Sequence, residues 1–175
     1  VISRGHGSEG SEGDQTARPV LPGSSAAQVG DEPLLIAQHG KCPVMVGRDR
    51  AQAARALLAA HPHVDVLISD DGLQHYALQR DIEIVLFDGR GVGNGWLLPA
   101  GPLREAPGRR RDFTLVNTPL LTPALAAAVG AGGAVTQMTL AGEFAERLTD
   151  RSERMPLALL AGSGHRIVAA AGIGN

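Results

Sequence analysis

Two adjacent carboxylates follow an apolar run near the middle of the chain. The run VDVLIS covers residues 64–69, and Asp70 and Asp71 come directly after it. Nucleotide enzymes place a carboxylate at such a strand end to hold Mg²⁺ on the phosphates. Gln74 and His75 follow, near enough to reach the same phosphate or its metal. Two carboxylates, an amide and an imidazole at one strand end favour a site for a cation and an anionic ligand.

A purely structural explanation of the two aspartates stays open. Strand ends often carry aspartate because it opens a turn, and Asp71 followed by Gly72 is a favourable turn dipeptide. Taken alone, the dipeptide is better explained as a turn. The added Gln74 and His75 shift the balance toward a site.

A second pair of carboxylates, Asp31 and Glu32, stands where a helix is predicted to begin. On spacing alone Asp31 is an N-cap and Glu32 complements the helix dipole. The chemical alternative is that an aspartate at the end of a long loop accepts a proton from a substrate hydroxyl. The sequence pattern leaves both interpretations open.

Positive charge is concentrated after the glycine-rich stretch of residues 89–101. Arg104 and Glu105 form an adjacent cation and anion, and residues 109–111 are three consecutive arginines. A solvated surface is the usual explanation of such a run, and contact with a lipid or a phosphate is the more specific one.

Two glycine-containing stretches, one around Lys41 and one over residues 89–95, lack the spacing of a nucleotide-binding loop. A phosphate loop requires GxxxxGK[ST] at the start of a helix. Lys41, the only lysine, follows a glycine, but Leu35 and Cys42 occupy the first and last positions of that pattern and a strand is predicted next. Residues 89–95 likewise miss the GxGxxG spacing. Lys41 is therefore not a phosphate-loop lysine.

The elements that must position these residues alternate between helices and short apolar strands. Apolar spacing predicts helices over Glu32 to His39 and over residues 49–60, the second with Asp49 as its N-cap. Strands are predicted over Pro43 to Val46, Val64 to Ser69, Ile82 to Phe87 and Phe113 to Val116. Continuous apolar strands alternating with helices indicate an α/β fold with a mostly parallel sheet covered on both faces. Ligands of such sheets bind at the carboxyl ends of the strands.

The remaining segments are less regular. Residues 7–29, rich in Gly, Ser and Pro, predict a long loop, and the alanine-rich residues 122–135 are helical or loose. A new strand is predicted over Arg166 to Ala171. We therefore expect a first domain over residues 1–150, followed over residues 151–175 by a linker and the first strand of a second small α/β domain.

Composition narrows the classes of function. The chain has 175 residues, of which 43% are hydrophobic, and a formal charge of -2. This charge gives no support to a nucleic-acid partner. The sequence contains no bilayer-spanning apolar run and no signal peptide, so we expect a soluble or peripheral protein.

Five stretches together resemble the tetraacyldisaccharide 4'-kinase family of lipid A biosynthesis in Gram-negative bacteria. They are ISRGHG, VGDEPLL, SDDGLQHYALQRDIEIVLFD, GNGWLLPAGPLREAP and AAAGIGN. The resemblance implies a P-loop fold with two α/β domains, with ATP and Mg²⁺ as cofactors. It implies transfer of the ATP γ-phosphate to the 4'-hydroxyl of a tetraacylated glucosamine disaccharide 1-phosphate. It further implies peripheral contact with the cytoplasmic face of the bacterial inner membrane.

The resemblance assigns catalytic roles to four residues: Asp31, His75, Arg104 and Glu105. Asp31 matches the family's catalytic aspartate, and Arg104 with Glu105 matches an Arg-Glu pair near the nucleotide. His75 belongs to the turn that faces the phosphate or the substrate.

Cofactor-binding roles are implied for Asp70, Asp71 and Gln74, with the two aspartates as the metal ligands. The resemblance also implies that the family's P-loop and hydrophobic N-terminal helix lie upstream of Val1, and that a histidine partner of the catalytic aspartate lies downstream of Asn175. It thus predicts a central fragment that is inactive alone. A non-catalytic nucleotide-binding α/β module, acting as a scaffold or regulator, is the alternative.

Overall fold

The computed structural model describes residues 1–5, 16–147, 149, 150, 152–162, 164, 166 and 168. The chain divides into two compact units, Val1–Glu83 and Ile84–Asn175. This division reflects packing within each unit. The domain boundary predicted at residue 150 stays a prediction.

The first unit contains a small three-stranded sheet. Its strands are β1 (Ile2–Ser3), β2 (Arg18–Pro19) and β3 (Met45–Val46), in the order β1-β3-β2. Strand β3 runs parallel to β1 and antiparallel to β2, with Met45 opposite both Ile2 and Pro19. The strand predicted over Pro43 to Val46 is thus present in its second half.

The described residues of the same unit include three helices, α1 (Ala26–Val29), α2 (Asp31–Gly40) and α3 (Arg50–Ala60). Helices α2 and α3 confirm the two predicted from apolar spacing. The Asp49 side chain accepts a hydrogen bond of 3.0 Å from the backbone N–H of Gln52, so the predicted N-cap of α3 is confirmed.

The core of the first unit lies between α3 and the sheet. Ala53, Ala54 and Leu57 pack there against Ile2 and Met45. The small alanine side chains let the helix backbone approach the strands closely. The carboxyl ends of β1 and β3 are thereby fixed next to the first turn of α3.

The strand predicted over Val64 to Ser69 is wrong as a continuous element. Only Ser69 forms a parallel bridge, with Ile2 as its partner. The Ile2 N–H donates to the Ile68 carbonyl oxygen at 2.8 Å, and the Asp70 N–H donates to the Ile2 carbonyl oxygen at 3.0 Å. Since β1 is only two residues long, it offers a partner to the end of this segment and to no more of it.

The second unit is built around a parallel sheet. Strands β4 (Ile84–Asp88), β5 (Phe113–Asn117) and β6 (Ala134–Met138) lie in that order, and both pairings are parallel. Helix α4 (Pro123–Val129) and a short 3-10 turn connect β5 to β6. The predicted α/β fold with a mostly parallel sheet is confirmed. The strands over Ile82 to Phe87 and Phe113 to Val116 are confirmed within two residues, and β6 is an addition.

Burial in this sheet alternates between its faces. Thr114 and Val116 are fully buried, whereas Ile84, Leu86 and Phe113 are exposed. The expectation of a sheet covered on both faces is therefore not met by the described residues of this unit.

The rest of the second unit consists of a hairpin, β7 (Phe144–Glu146) and β8 (Arg154–Pro156), followed by α5 (Leu157–Ala161). The strand predicted over Arg166 to Ala171 falls outside the described residues, apart from positions 166 and 168. Among the helices that can be described, none is both long and apolar enough to cross a membrane.

Candidate functional site

Asp70 is held at the end of β1 by both its backbone and its side chain. Its N–H is bound by the Ile2 carbonyl, and its Oδ2 accepts a hydrogen bond of 3.1 Å from the Ser3 hydroxyl. Asp71 then adopts a left-handed backbone, with φ of 47°. The chain therefore turns sharply at the second aspartate.

The surroundings of Gly72 explain why a glycine follows the two aspartates. It is buried, and a Cβ at this position would collide with the Ser69 side chain. The predicted turn at residues 71 and 72 is therefore real, but it coexists with the polar cluster and does not replace it.

The two predicted pairs of carboxylates interact electrostatically in the first unit. The pKa of Glu32 is raised above its ordinary value, chiefly by the negative charge of Asp70. Partial burial and the charges of Asp31 and Asp71 raise it further. Four carboxylates therefore share one electrostatic environment. A bound cation would reduce the repulsion between their negative charges.

Asp31 is not the N-cap of α2, so the capping interpretation is wrong. Gly30 occupies the cap position with a φ of 89°, and Asp31 is already the first helical residue. Its Oδ1 accepts a hydrogen bond of 2.9 Å from the Glu32 N–H, and the residue is exposed. The carboxylate is thus accessible at a helix N-terminus.

His75 is attached to the first turn of α3. Its Nε2 accepts a hydrogen bond of 3.2 Å from the backbone N–H of Arg50, and Asp49 Oδ1 lies 3.8 Å from the same nitrogen. The His75 N–H also closes a turn by donating to the Gly72 carbonyl at 2.9 Å. The imidazole therefore ties the end of the turn to the helix.

Two arginines outside the predicted site residues contact the turn formed by residues 70–75. Arg80 Nη1 donates to the carbonyl oxygens of Gly72 and Leu73, each at 3.0 Å, and Arg80 also forms an ion pair with Glu83 at 3.0 Å. Arg50 is buried behind the turn. A signal for Arg50 was available, since it lies on the same helical face as the apolar core residues of α3. Gln74 is exposed in this turn.

The oxygen donors of this cluster suit Mg²⁺, which binds through one or two carboxylates completed by waters and substrate phosphates. Over the described ranges, no three His, Cys, Asp or Glu side chains are grouped closely enough to form a metal cage by themselves. The assignment of Asp70 and Asp71 as metal ligands stays a prediction.

The predicted Arg104 and Glu105 belong to the second unit. Arg104 is exposed, and the Glu105 carboxylate forms an ion pair of 3.2 Å with Arg109. Arg111 is buried, so a solvated surface is the wrong explanation for it. Its guanidinium donates to three carbonyl oxygens and one hydroxyl, those of Pro107, Arg109, Val129 and Thr114.

A hydrogen-bonded loop in this unit displays large apolar side chains. Asn94 anchors it, since its Nδ2 donates to the Ala100 carbonyl at 3.0 Å and its Oδ1 accepts from the Trp96 N–H at 3.1 Å. Trp96, Leu97 and Leu98 are nevertheless 64%, 49% and 61% exposed. Exposed neighbouring apolar side chains on an ordered loop are typical of an interaction surface.

Comparison with known proteins identifies similar sequences along the whole chain. The family model for tetraacyldisaccharide-1-P 4'-kinase matches residues 1–175. The chain is 57% identical over 179 aligned positions to a tetraacyldisaccharide 4'-kinase of Janthinobacterium sp. (strain Marseille), covering 100% of this chain and 49% of that protein. Its identity to the protein of the same name from Herminiimonas arsenicoxydans is 55% over 186 positions, with the same two coverages. The chain thus spans about half the length of these curated relatives. No solved structure has significant similarity to it.

Proposed function

The chain belongs to the tetraacyldisaccharide-1-P 4'-kinase family, and we propose that the whole protein transfers the γ-phosphate of ATP to the 4'-hydroxyl of tetraacyldisaccharide 1-phosphate in lipid A biosynthesis. Family membership implies ATP as the phosphate donor. The observation that carries the proposal is the electrostatic interaction of Glu32 with Asp31, Asp70 and Asp71. These carboxylates come from two separated motifs of the family resemblance.

Asp31 is the proposed general base. It is exposed at the start of α2, so a sugar hydroxyl can approach its carboxylate. The neighbouring negative charges of Glu32, Asp70 and Asp71 favour the binding of a cation in this region. A base within hydrogen-bonding reach of the hydroxyl contributes roughly 10²- to 10⁴-fold to the rate.

Asp70 and Asp71 are the proposed Mg²⁺ ligands, and Gln74 the polar contact to the nucleotide phosphates. Ser3 fixes one oxygen of Asp70, and the left-handed backbone at Asp71 directs the chain away after it. When bound, Mg²⁺ would neutralise charge on the transferring phosphate. The chain's own contribution is to hold the two carboxylates ready at a strand end.

Arg104 and Glu105 are proposed as contacts near the nucleotide because they match the Arg-Glu pair of the family. The ion pair with Arg109 restricts the Glu105 carboxylate to one orientation. His75 completes the turn around Asp70 and Asp71, with its Nε2 engaged by the backbone of α3.

The proposed substrate is a lipid, and we propose peripheral contact with the cytoplasmic face of the inner membrane. The exposed Trp96, Leu97 and Leu98 support this proposal, because such side chains favour the interface between water and lipid. Residues 1–150 are proposed to belong to a P-loop-type kinase core, and residues 151–175 to a linker and the start of a second domain.

The test is phosphate transfer by the whole protein. Purified protein is incubated with γ-labelled ATP, Mg²⁺ and tetraacyldisaccharide 1-phosphate, and labelled lipid is quantified. We expect Asp70→Asn and Asp71→Asn to reduce turnover and raise the Mg²⁺ concentration needed for half-maximal rate. Asp65→Asn is the control, since Asp65 is exposed in the same unit. Nucleotide binding without any transfer by the wild-type protein would favour the non-catalytic alternative.

A further inference from the structure

Arg50 occupies an unusual position for a cationic side chain. It is the first residue of α3 and is only 4% exposed, on the face that also carries Ala53, Ala54 and Leu57. Burying a guanidinium costs free energy unless its donors are satisfied. Burial indeed lowers the pKa of Arg50, and the charges of Asp70 and Asp71 act in the opposite direction. An arginine at this position therefore requires a reason other than packing.

The contacts of Arg50 lead to both ends of one turn. Its Nη2 lies 3.5 Å from the Asp70 carbonyl oxygen, and its backbone N–H donates to His75 Nε2 at 3.2 Å. Its Nη1 donates to the Gly47 carbonyl at 2.7 Å, which fixes the guanidinium just after β3. A single residue thus contacts the first and the last residue of the segment from Asp70 to His75.

One hydrogen-bond donor of the guanidinium is also unused. Its Nε is buried and has no hydrogen-bond partner among the residues that the structure describes. The charge of Arg50 acts on Asp70 and Asp71, since its Nη2 lies 3.5 Å from the Asp70 carbonyl oxygen. In a poorly solvated environment this field is screened less than it would be in water.

We propose that Arg50 is a positioning residue for the segment from Asp70 to His75, fixing its two ends and offsetting the repulsion between Asp70 and Asp71. The backbone contact through His75 sets where the turn ends. The side chain sets where it begins and supplies a counter-charge before any cation binds. The catalytic consequence rests on the proposed function, whereas the ordering of the turn does not.

Hydrogen exchange of the whole protein without nucleotide or Mg²⁺ tests the structural part. We expect Arg50→Met to speed amide exchange in residues 70–78 by about five- to tenfold, the factor that corresponds to one net hydrogen bond. Arg55→Met is the matched control, because Arg55 lies on the same helix but is exposed. Unchanged exchange in folded Arg50→Met protein would overturn the proposal.

His75 provides a second route if Arg50→Met does not fold. His75→Ala removes the acceptor for the Arg50 N–H and should speed exchange in the same segment. His75→Gln places an amide oxygen near the position of Nε2 and should restore slow exchange. If His75→Ala exchanges as slowly as wild type, the turn is not held from α3 and the proposal fails.

The kinetics of phosphate transfer distinguish a positioning role from a purely structural one, because a purely structural residue would not change the KM for Mg²⁺-ATP selectively. We expect folded Arg50→Met to raise the KM for Mg²⁺-ATP by about tenfold, the factor that corresponds to ~1.4 kcal/mol, because the turn that carries Asp70 and Asp71 is no longer held in place, with a smaller change in kcat. Arg50→Lys should restore part of this loss, because its ammonium can still donate to the Gly47 carbonyl oxygen that Arg50 contacts. Equal KM values for wild type and Arg50→Met would overturn the positioning role of Arg50. A wild-type protein without kinase activity would refute the proposed function, and the exchange result would still decide whether Arg50 orders the turn.

Discussion

The Ser3 hydroxyl donates a hydrogen bond of 3.1 Å to Asp70 Oδ2 across a sequence separation of 67 residues. The contact joins the end of β1 to the turn that begins after residue 69. Both residues stand at carboxyl ends of parallel-paired segments, which is the edge where α/β proteins bind ligands. This hydrogen bond holds Oδ2 of Asp70 in place.

This contact predicts a measurable coupling between Ser3 and Asp70. Ser3→Ala should lower the free energy of unfolding by roughly 1 kcal/mol, because a partly buried carboxylate loses one donor. Urea denaturation of Ser3→Ala, Asp70→Ala and the double variant would give the coupling energy directly. Additive effects of the two substitutions would show that the hydrogen bond contributes nothing to stability.

The shared environment of the carboxylates predicts a pH effect at Glu32. Its pKa is raised in the folded protein, so the folded state binds more protons than the unfolded state just above the ordinary pKa of a glutamate. Glu32 therefore lowers stability at neutral pH, and this penalty disappears as pH falls and the carboxylate becomes protonated.

Glu32→Gln should accordingly be more stable than wild type at pH 7, with the difference vanishing in acid. Thermal midpoints measured over a pH series would show it, with Asp81→Asn as an exposed control. Mg²⁺ should narrow the difference at pH 7 if it binds among these carboxylates. A constant difference at all pH values would contradict the electrostatic explanation.

The sequence predicted the elements whose local signals are strong. Asp49 before an alanine-rich periodic segment predicted both the start and the cap of α3. The apolar runs of β4 and β5 predicted a parallel sheet. These features depend on residues adjacent in the chain, so they can be predicted without knowledge of tertiary contacts.

Features that depend on distant partners were missed. Whether residues 64–69 form a strand depends on the length of β1, which lies more than sixty residues away. Strand β6 follows α4 within an alanine-rich stretch that has weak periodicity of its own. Arg111 looks like a surface residue in the sequence, yet it is buried because carbonyl oxygens from the folded chain accept hydrogen bonds from its guanidinium group. Arg50 is buried in the same way, although its position on the apolar face of α3 was a signal for it.

The exposed apolar loop predicts a membrane contribution. Replacing Trp96 and Leu98 by serine should weaken binding of the whole protein to vesicles containing anionic phospholipid by about tenfold, since apolar area would no longer be transferred to lipid. Leu140→Ser is the control, because Leu140 is a large apolar residue of the same unit and is 80% exposed. Equal losses in both variants, measured by co-sedimentation, would show that the loop has no special role.

Asp31→Asn separates the proposed base from any structural role of this residue. Gly30, not Asp31, occupies the cap position of α2, so the substitution should change stability only by the roughly 0.3–1 kcal/mol of a charge at a helix N-terminus. Asparagine cannot accept the proton of the 4'-hydroxyl, so kcat should fall by roughly 10²- to 10⁴-fold. ATP affinity should stay near that of wild type, because the proposed nucleotide contacts come from other residues. The measurements are the thermal midpoint, ATP binding and kcat of the whole protein, with Asp65→Asn as the control. A kcat near wild type in a folded, ATP-binding variant would leave the proposed mechanism without its base and would return Asp31 to a purely electrostatic role at the start of α2.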